Sequence, residues 1–251
     1  MKKIVVLISN RGTGTNLQAI IDGVKAGKIN AKIIAVISDT KEARGLDRAR
    51  KNKLSIKISP NKEDLLPLLQ KLNPDYICLA GWKQIILEEV INAFPNRILN
   101  LHPGLIPDSI DQIVKNPDGT EALWNKGKFT DKAIQNFLDS SATYAGSTVH
   151  FLSDEFDFGS VLGRCFAKVK KGDTGDSLYT RLKVKENNLY VDVLAKLCKQ
   201  MNILVIGQNG REHALAVSYA KSSKVKKVVM TPGNGLTDFG NPKIKNYPDI
   251  G

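Results

Sequence analysis

The stretch from Lys3 to Ile20 reads KIVVLISNRGTGTNLQAI. Its first half is a short apolar run rich in β-branched residues, which predicts a buried strand. Gly12 and Gly14 then alternate with hydroxyl residues and lead to Asn16, where a helical pattern begins. Backbone N–H groups at a helix start have no partner within the helix, and glycines let an anion approach them closely. The stretch therefore predicts a strand, a phosphate-binding turn and a helix, although a tight turn capped by a hydroxyl group would produce the same pattern.

The spacing of these glycines is neither GxGxxG nor that of the P-loop, so neither a dinucleotide nor an ATP site is favoured. The first hundred residues repeat the alternation of strand and helix. Predicted strands are KIIAVISD, LSIKIS, DYICLAG and RILNLHP, and predicted helices are GLDRARKN, NKEDLLPLLQKL and LEEVINAF. Asn61 is the expected cap of the helix that contains Pro67, near which we expect a distortion. The alternation predicts an α/β fold, with a Rossmann-like, mostly parallel sheet and helices on both faces.

Ligands of such sheets bind beyond the carboxyl ends of the strands. One predicted strand ends in Asn100-Leu-His102-Pro-Gly, which contains one of only three histidines in the chain. Residues i and i+2 of a strand point to the same side, so Asn100 and His102 are expected to project together. An amide donor beside an imidazole suits the oxyanion that develops on a carbonyl group. A strand-end histidine satisfied by backbone groups is the competing interpretation.

A histidine that acts as a general acid is expected to have a carboxylate beside it, because charge pairing favours the protonated ring. The candidates are Asp154, Glu155 and Asp157. They lie in DEFDFG, between the two predicted strands STVHFLS and VLGRCFAKVK. The spacing does not choose among the three, and all of them could equally be solvated loop charges.

Residues 108–146 interrupt the alternation with a polar stretch that contains a predicted turn at Asn116-Pro-Asp-Gly and a helical pattern in DKAIQNFLD. We interpret this stretch as an excursion on the active-site face. A long predicted helix, TGDSLYTRLKVKENNLYVDVLAKLCKQ, follows the strand pair. At Met201 a fresh strand, glycine turn, helix and strand begin, which predicts a second domain with a partial βαβ arrangement. The final stretch TDFGNPKIKNYPDIG has no apolar period, and no element is predicted there.

The charge, the cysteine count and the apolar runs of the chain indicate its kinds of ligand and its cellular setting. The net charge of +12 is spread along the chain without an arginine-rich block or an aromatic stripe, so it indicates a lysine-rich surface and anionic small substrates, not nucleic acid. Three widely spaced cysteines predict neither a disulfide framework nor a zinc cluster, which fits a cytoplasmic setting. No apolar run reaches the ~20 residues of a membrane helix, so no membrane association is expected.

Several stretches together resemble one family. These are the glycine turn with Asn16, PDYICLAGW, ILNLHPGLIP, STVHFLSDEFDFG and RLKVKEN, and over residues 1–200 they resemble the phosphoribosylglycinamide formyltransferase family. The resemblance implies transfer of a formyl group from the cosubstrate 10-formyltetrahydrofolate to the amine of glycinamide ribonucleotide, in purine synthesis and without a metal. In that mechanism Asn100 and protonated His102 stabilise the oxyanion. Asp157 supports the imidazolium and also helps a proton to pass through water to the leaving folate nitrogen.

The resemblance also implies the binding residues. Those for the substrate are Gly14, Thr15, Asn16, Lys183 and Glu186, of which Glu186 would meet the amine and the others the phosphate. Those for the folate are Lys62, Lys83, Gln84, Ile85, Ile86, Leu99 and Asp154. Two features depart from the family pattern. Gln84 stands where the family usually has an arginine, and the excursion replaces a short turn that contains a histidine.

Residues 201–251 resemble the start of phosphoribosylamine–glycine ligase, an enzyme of the same pathway, in NILVIGQNGREHALA and PGNG. The ATP-binding domains of that ligase are absent, so we expect a truncated fragment without ligase activity, derived from a fused or adjacent pathway enzyme. A homodimer is left open. Two alternatives for residues 1–200 are another folate-dependent formyltransferase, such as one acting on aminoacyl-tRNA, and a non-catalytic nucleotide-binding module.

Overall fold

The computed structural model describes residues 1–9, 13–222, 224–234 and 240–247. The chain divides into two compact units, Met1–Leu197 and Cys198–Gly251. Gly12 of the predicted glycine turn lies outside the described residues.

The first unit is built on a seven-stranded sheet in the order β3-β2-β1-β4-β5-β6-β7. The strands are β1 Lys2–Ile8, β2 Ala31–Ser38, β3 Ile56–Ile58, β4 Tyr76–Leu79, β5 Ile98–His102, β6 Tyr144–Phe151 and β7 Val161–Lys168. Strands β1 to β5 are mutually parallel, and β6 and β7 pair antiparallel at one side. The order reverses between β1 and β4, and a crevice forms beyond the carboxyl ends of strands at such a point. The predicted mostly parallel sheet is confirmed.

Helices of the first unit cover both faces of this sheet. They are α1 Thr15–Lys25, α2 Leu46–Lys51, α3 Leu65–Leu72, α4 Glu88–Ala93, α5 Thr130–Asp139 and α6 Gly175–Cys198. Val5 of β1 and Ile77 of β4 pack in one core cluster with residues of α3 and α4. The neighbouring Cys78 projects to the opposite face, where it interacts with Tyr190 of α6. This alternation explains why the strands are almost continuously apolar in sequence.

Tyr190 links α6 to the middle of the sheet. Its side chain is fully buried, and its hydroxyl group lies 3.2 Å from the carbonyl oxygen of Leu79 and 3.1 Å from that of Leu99. These two carbonyl groups belong to the last residue of β4 and to the second residue of β5. The hydroxyl group therefore joins the helix to the two strands whose ends carry the predicted site.

The predicted cap at Asn61 is wrong. A 3-10 turn at Lys62–Asp64 precedes α3, and Asn61 makes no side-chain cap hydrogen bond; its amide nitrogen donates to the carboxylate of Asp64 at 3.0 Å. Pro67 falls in the first turn of α3, where a missing N–H costs no helical bond. The expected distortion is therefore confined to the turn before the helix.

The excursion is shorter than the sequence predicted, because β6 begins at Tyr144; we use the name for residues 108–143. It contains the predicted turn, in which the N–H of Gly119 donates to the carbonyl oxygen of Asn116 at 2.9 Å, and an isolated bridge between Lys115 and Glu121. It also contains α5, whose buried residues include Phe137. The excursion is thus an ordered layer of the first unit.

The second unit contains β8 Met201–Gly207, α7 Gly210–Lys221, β9 Val225–Pro232 and β10 Ile244–Asn246, in a parallel sheet of order β10-β9-β8. Strand β10 was not predicted, because only Ile244 of its three residues is buried and no periodicity is visible. Helix α7 begins with a complete capping box between Asn209 and Glu212. A search of the helices in the described ranges finds no segment long and apolar enough to cross a membrane.

Candidate active site

A cavity of about 460 Å³, here called the main cavity, lies beyond the carboxyl ends of β4 and β5. Its walls include side chains from strand β5, the β6–β7 loop, helix α6 and the segment after β4. Among the lining residues are Asn16, Asn100, His102, Asp154, Asp157, Glu186 and Lys83–Ile86. Residues separated by up to 170 positions therefore meet around one space.

A second cavity of about 540 Å³, here called the turn cavity, adjoins the glycine turn. It is lined by Gly14, Thr15 and Lys183, and Asn16 lines both cavities. The Oδ1 atom of Asn16 is buried without a hydrogen-bond partner, so its side chain retains capacity for a ligand. Gly14 adopts a left-handed conformation (φ 71°), and a Cβ there would lie 2.8 Å from the Cα of Gly45. The turn therefore requires glycine both for its conformation and for the close approach of the neighbouring backbone.

His102 is held by two oxygen atoms. Its Nδ1 lies 3.4 Å from Oδ1 of Asp157, and its Nε2 lies 2.7 Å from the carbonyl oxygen of Trp124 in the excursion. Only 2% of the His102 side chain is exposed. Because both ring nitrogens face acceptors, the doubly protonated imidazolium satisfies both contacts at once.

Asp157 is fixed in the β6–β7 loop by groups on both sides. Its backbone has a positive φ of 50°, its Oδ2 accepts the N–H of Gly127 at 2.8 Å, and its carbonyl oxygen accepts the indole N–H of Trp124 at 3.0 Å. Burial by itself would raise the pKa of Asp157. The contact with His102 and the N–H of Gly127 outweigh burial and lower that pKa below its ordinary value. The carboxylate is therefore ionised beside the imidazole.

Asn100 is oriented by a second histidine, His150, which stands opposite it across the β5–β6 pair. The Nδ2 atom of Asn100 lies 3.2 Å from Nε2 of His150, whose Nδ1 lies 3.0 Å from the carbonyl oxygen of Phe151. Burial, followed by the nearby charge of His102, lowers the pKa of His150 to about 4. Neutral His150 therefore donates from Nδ1 and accepts from Asn100 at Nε2, which fixes the orientation of the Asn100 amide.

Glu186 projects from α6 into the main cavity. Its side chain is buried, and one carboxylate oxygen accepts the hydroxyl of Ser147 at 2.6 Å. Burial raises the pKa of Glu186, and the Ser147 hydrogen bond and the charge of Lys183 offset only part of that effect. Lys183, one turn earlier, lines the turn cavity with its Nζ 4.4 Å from the ring centroid of Tyr179.

The segment after β4 forms one wall of the main cavity. The N–H of Lys83 donates to the hydroxyl of Ser9 at 2.9 Å, and the side chain of Gln84 donates to the carbonyl oxygen of Pro60 at 2.8 Å. Ile85 is 69% exposed at the cavity, whereas Ile86 packs in the core. Two of the residues predicted for folate binding lie elsewhere. Lys62 is exposed in the 3-10 turn, and Leu99 is buried, and neither lines the main cavity or the turn cavity.

Sequence reasoning missed three groups at this site, namely His150, the Trp124 carbonyl and the Gly127 N–H. His150 could have been found from STVHFLS, because a histidine in a buried strand beside the Asn100 strand has few other partners. The two backbone groups leave no signal in side-chain identity. Gly104 is an indirect sign of them, because a Cβ there would lie 1.7 Å from the carbonyl oxygen of Trp124.

The sheet order, the switch point and the polar side chains at the strand ends define the class of protein. A family model described as formyl transferase matches residues 2–194, and the chain belongs to the formyl transferase family. A second model, for the N domain of phosphoribosylglycinamide synthetase, matches residues 201–248.

Similar proteins within that family include phosphoribosylglycinamide formyltransferases. The chloroplastic enzyme of Arabidopsis thaliana is 31% identical over 209 residues, which are 79% of this chain and 66% of the relative, so the chain spans slightly less than two thirds of it. The Escherichia coli (strain K12) phosphoribosylglycinamide formyltransferase is 32% identical and matches 76% of this chain and 85% of its own length. The crystal structure of glycinamide ribonucleotide transformylase 1 from Symbiobacterium toebii superposes with a TM-score of 0.67 at 32% identity, covering 79% of this chain and 88% of that structure.

Proposed function

We propose that the first unit transfers a formyl group from 10-formyltetrahydrofolate to the amine of glycinamide ribonucleotide, a step of purine synthesis. The observation that carries the proposal is the convergence of Asn100, His102 and Asp157 on the main cavity, which shares Asn16 with the turn cavity. Two adjoining cavities of different character suit two substrates that must meet at one carbon atom. Proximity of this kind accounts for a large part of the acceleration of a group transfer.

The turn cavity is the proposed phosphate site. No side chain caps the start of α1, and the first turn of that helix carries no acidic residue. Free N–H groups and the helix dipole therefore favour an anion there. Lys183 lines the same cavity and adds a positive charge, so the phosphate would meet charge and hydrogen-bond donors together.

Glu186 is the proposed partner of the attacking amine. Its buried carboxylate accepts a hydrogen bond from Ser147, and the residue lines the main cavity. An ammonium or amine group that enters the cavity would donate a further hydrogen bond to that carboxylate. This contact would hold the amine nitrogen in line with the formyl carbon.

Asn100 and His102 are proposed to stabilise the negative charge that develops on the formyl oxygen. The ionised Asp157 pairs with the imidazole, and the proton lost by the amine reaches the leaving folate nitrogen through His102 and water. His150 holds the Asn100 amide so that reorganisation during the reaction is small. The wall formed by Lys83–Ile86, with Asp154, is proposed to receive the folate. The reaction assigned here needs no metal.

For the second unit, we propose that residues 201–251 belong to a domain related to phosphoribosylamine–glycine ligase, either fused to or adjacent to the formyltransferase in the cytoplasm. The family match to the N domain of the synthetase supports this. An assay with phosphoribosylamine, glycine and ATP should detect no ligase activity in this chain, because only the N domain is matched.

Sedimentation of the chain would test whether it forms a homodimer.

The decisive assay mixes the protein, 10-formyltetrahydrofolate and glycinamide ribonucleotide and follows deformylation of the folate by absorbance. We expect turnover that depends on glycinamide ribonucleotide. His102→Ala should lower kcat by about 10²- to 10⁴-fold, because it removes the group that handles both charge and proton. His213→Ala, in the second unit, is the matched control and should retain full activity.

Near-normal turnover by His102→Ala would refute the assigned role of that residue. Turnover without glycinamide ribonucleotide would indicate hydrolysis of the folate. A specific complex with aminoacyl-tRNA in a gel shift would favour the tRNA-directed formyltransferase instead. ATP or NAD binding with no binding of the folate would favour a nucleotide-binding module.

A further inference from the structure

The excursion lies against the end of β5 through a run of backbone contacts. The N–H of Leu105 donates to the carbonyl oxygen of Leu123 at 2.9 Å, and the side chain of Asn125 donates to the carbonyl oxygen of Pro103 at 3.0 Å. Between these two bonds, the carbonyl group of Trp124 reaches Nε2 of His102. The position of that carbonyl group is thus fixed on both sides along the chain.

Gly104 makes this contact possible. Its φ is not positive, so an alanine could adopt the same backbone conformation. A Cβ at this position would nevertheless lie 1.7 Å from the Trp124 carbonyl oxygen and 2.5 Å from its carbon. The glycine therefore serves close approach alone, and the group that approaches is the one that touches His102.

We propose that the Trp124 carbonyl is a positioning group that keeps a proton on Nε2 of His102 and leaves Nδ1 as the nitrogen that exchanges its proton with the reactants. The inference rests on the proposed function. At 2.7 Å from a carbonyl oxygen, which can only accept, Nε2 must be the donor in every protonation state of the ring. The Nδ1 atom faces Asp157 at the longer distance of 3.4 Å.

The placement of the cavity supports the same division of roles. His102 and Asp157 line the main cavity, whereas Trp124 is not among its lining residues. The Nε2 edge therefore lies against the excursion, and the Nδ1 edge lies beside the carboxylate that reaches the cavity. The titratable groups around the ring are Asp157 and His150, whose ring centroid is 6.4 Å away and whose plane is nearly perpendicular.

The proton balance of the step follows. The Nδ1–H bond breaks as its proton passes, directly or through water, to the leaving nitrogen of the folate, and the ring becomes the neutral Nε2–H form. The amine loses one proton as it becomes the formamide, and that proton restores the Nδ1–H bond. Throughout, the Nε2–H bond to the Trp124 carbonyl stays intact, so the ring cannot turn while it changes charge.

The same segment holds the other member of the pair. The Gly127 N–H occupies Oδ2 of Asp157, which leaves Oδ1 for His102, and the Trp124 indole N–H fixes the Asp157 backbone. Residues 124–127 thus position both partners of the ion pair. This explains how a chain with a long insertion after HPGLIP can keep the catalytic geometry.

The test uses ¹⁵N NMR of the imidazole rings in the full chain, together with Gly104→Ala and the control Gly175→Ala, whose added Cβ would have only an ordinary contact of 3.8 Å with Ile134. In the wild-type protein we expect Nε2 of His102 to stay protonated across the titration while Nδ1 alone changes. In Gly104→Ala we expect both ring nitrogens to show mixed protonation. We also expect kcat to fall by about 10- to 100-fold, a range typical of the loss of a group that orients a functional side chain, with little change in KM.

A second variant, Asn125→Ala, loosens the same peptide from its other side and should give the same signature if Gly104→Ala does not fold. A neutral His102 that carries its proton on Nδ1 in the wild-type protein would overturn the proposal, as would unchanged ring signals and kcat in a folded Gly104→Ala. If the wild-type ring shows the expected Nε2–H form but no formyl transfer occurs, the positioning role stands and the proposed function fails.

Discussion

The two units each contain a strand, a glycine-containing turn and a helix. The two helices differ in whether side chains of the helix itself accept hydrogen bonds from the backbone N–H groups at its start. Helix α7 begins with the capping box of Asn209 and Glu212, in which the carboxylate of Glu212 accepts the N–H of Asn209 at 3.0 Å. Helix α1 begins at Gly14 without any side-chain cap, and the turn cavity lies beside it. The same topology thus yields a closed helix end in one unit and an open one in the other.

The difference shows that topology alone does not make an anion site. A helix start attracts an anion only where its donors are left free, and a carboxylate in the first turn competes for the same donors. In the first unit no side chain of the described residues caps α1, and Lys183 lines the same cavity. The open end costs stability that a capped helix would retain, and that cost is typical of a binding site.

The largest difference in kinetics is expected between alanine substitutions of Gly14 and Gly210, the glycines at the starts of α1 and α7. Gly14→Ala forces a side chain into a left-handed conformation, which costs about 1–2 kcal/mol, and drives a Cβ to within 2.8 Å of Gly45. We expect the KM for glycinamide ribonucleotide to rise by about two orders of magnitude, because a small misplacement of a binding turn is amplified in the reaction. Gly210→Ala has open space and should leave steady-state kinetics unchanged. Equal kinetic effects of the two variants would break the comparison.

A smaller effect is expected from adding a charge to the open helix end. Thr15→Glu should stabilise α1 through the helix dipole by about 0.3–1 kcal/mol. The same charge should repel the substrate phosphate and raise the KM for glycinamide ribonucleotide by roughly tenfold, about 1.4 kcal/mol. Thr15→Gln is the control of equal size. A KM that Thr15→Glu leaves at the Thr15→Gln value would mean that the phosphate binds elsewhere.

The smallest expected changes are in stability, and they differ in sign between substitutions of Glu212 and Glu186. Glu212→Ala removes a cap and should destabilise α7 by about 1 kcal/mol, seen as faster hydrogen exchange of its amides.

Glu186→Gln should instead stabilise the first unit at neutral pH and reduce activity, because burial raises the pKa of Glu186 in the folded state. The sign of the pH dependence follows, since the wild-type unit should lose stability as pH rises from about 4.3, the value in an unfolded chain, through the raised folded pKa. Parallel stability–pH curves for wild type and Glu186→Gln would contradict this.

The parallel part of the fold was predictable because its central strands, such as β1 and β4, are buried on both faces and so appear as apolar runs. The start of β6 was not, since the strand predicted from STVHFLS begins only at Ser147, after Gly146, whereas β6 begins at Tyr144. Position 146 of the strand requires glycine, because a Cβ there would lie 2.6 Å from the side chain of Leu105. This long-range contact has no signature in the local sequence. Strand β10 was missed for a similar reason, because its pairing with β9 and a single buried isoleucine define it.

The candidate site was predictable where it depends on period alone. The two-residue spacing of Asn100 and His102 placed both on one side of β5. The choice of Asp157 over Asp154 and Glu155 depends on a positive φ and on backbone groups of the excursion, which residue identity does not encode. Glu155 pairs instead with Lys126 at 2.6 Å. The family resemblance supplied the assignment that spacing could not.

The hydroxyl group of Tyr190 stands between two carbonyl oxygens and has one hydrogen atom to offer them. The two acceptors, at the end of β4 and the second residue of β5, must therefore share that one hydrogen atom. Loss of that oxygen would leave two buried acceptors without it, and the strands bearing the proposed folate wall and Asn100 would be free to separate from the helix that bears Glu186. One phenol thereby ties the helix that carries Glu186 to the two strands that lead into the main cavity.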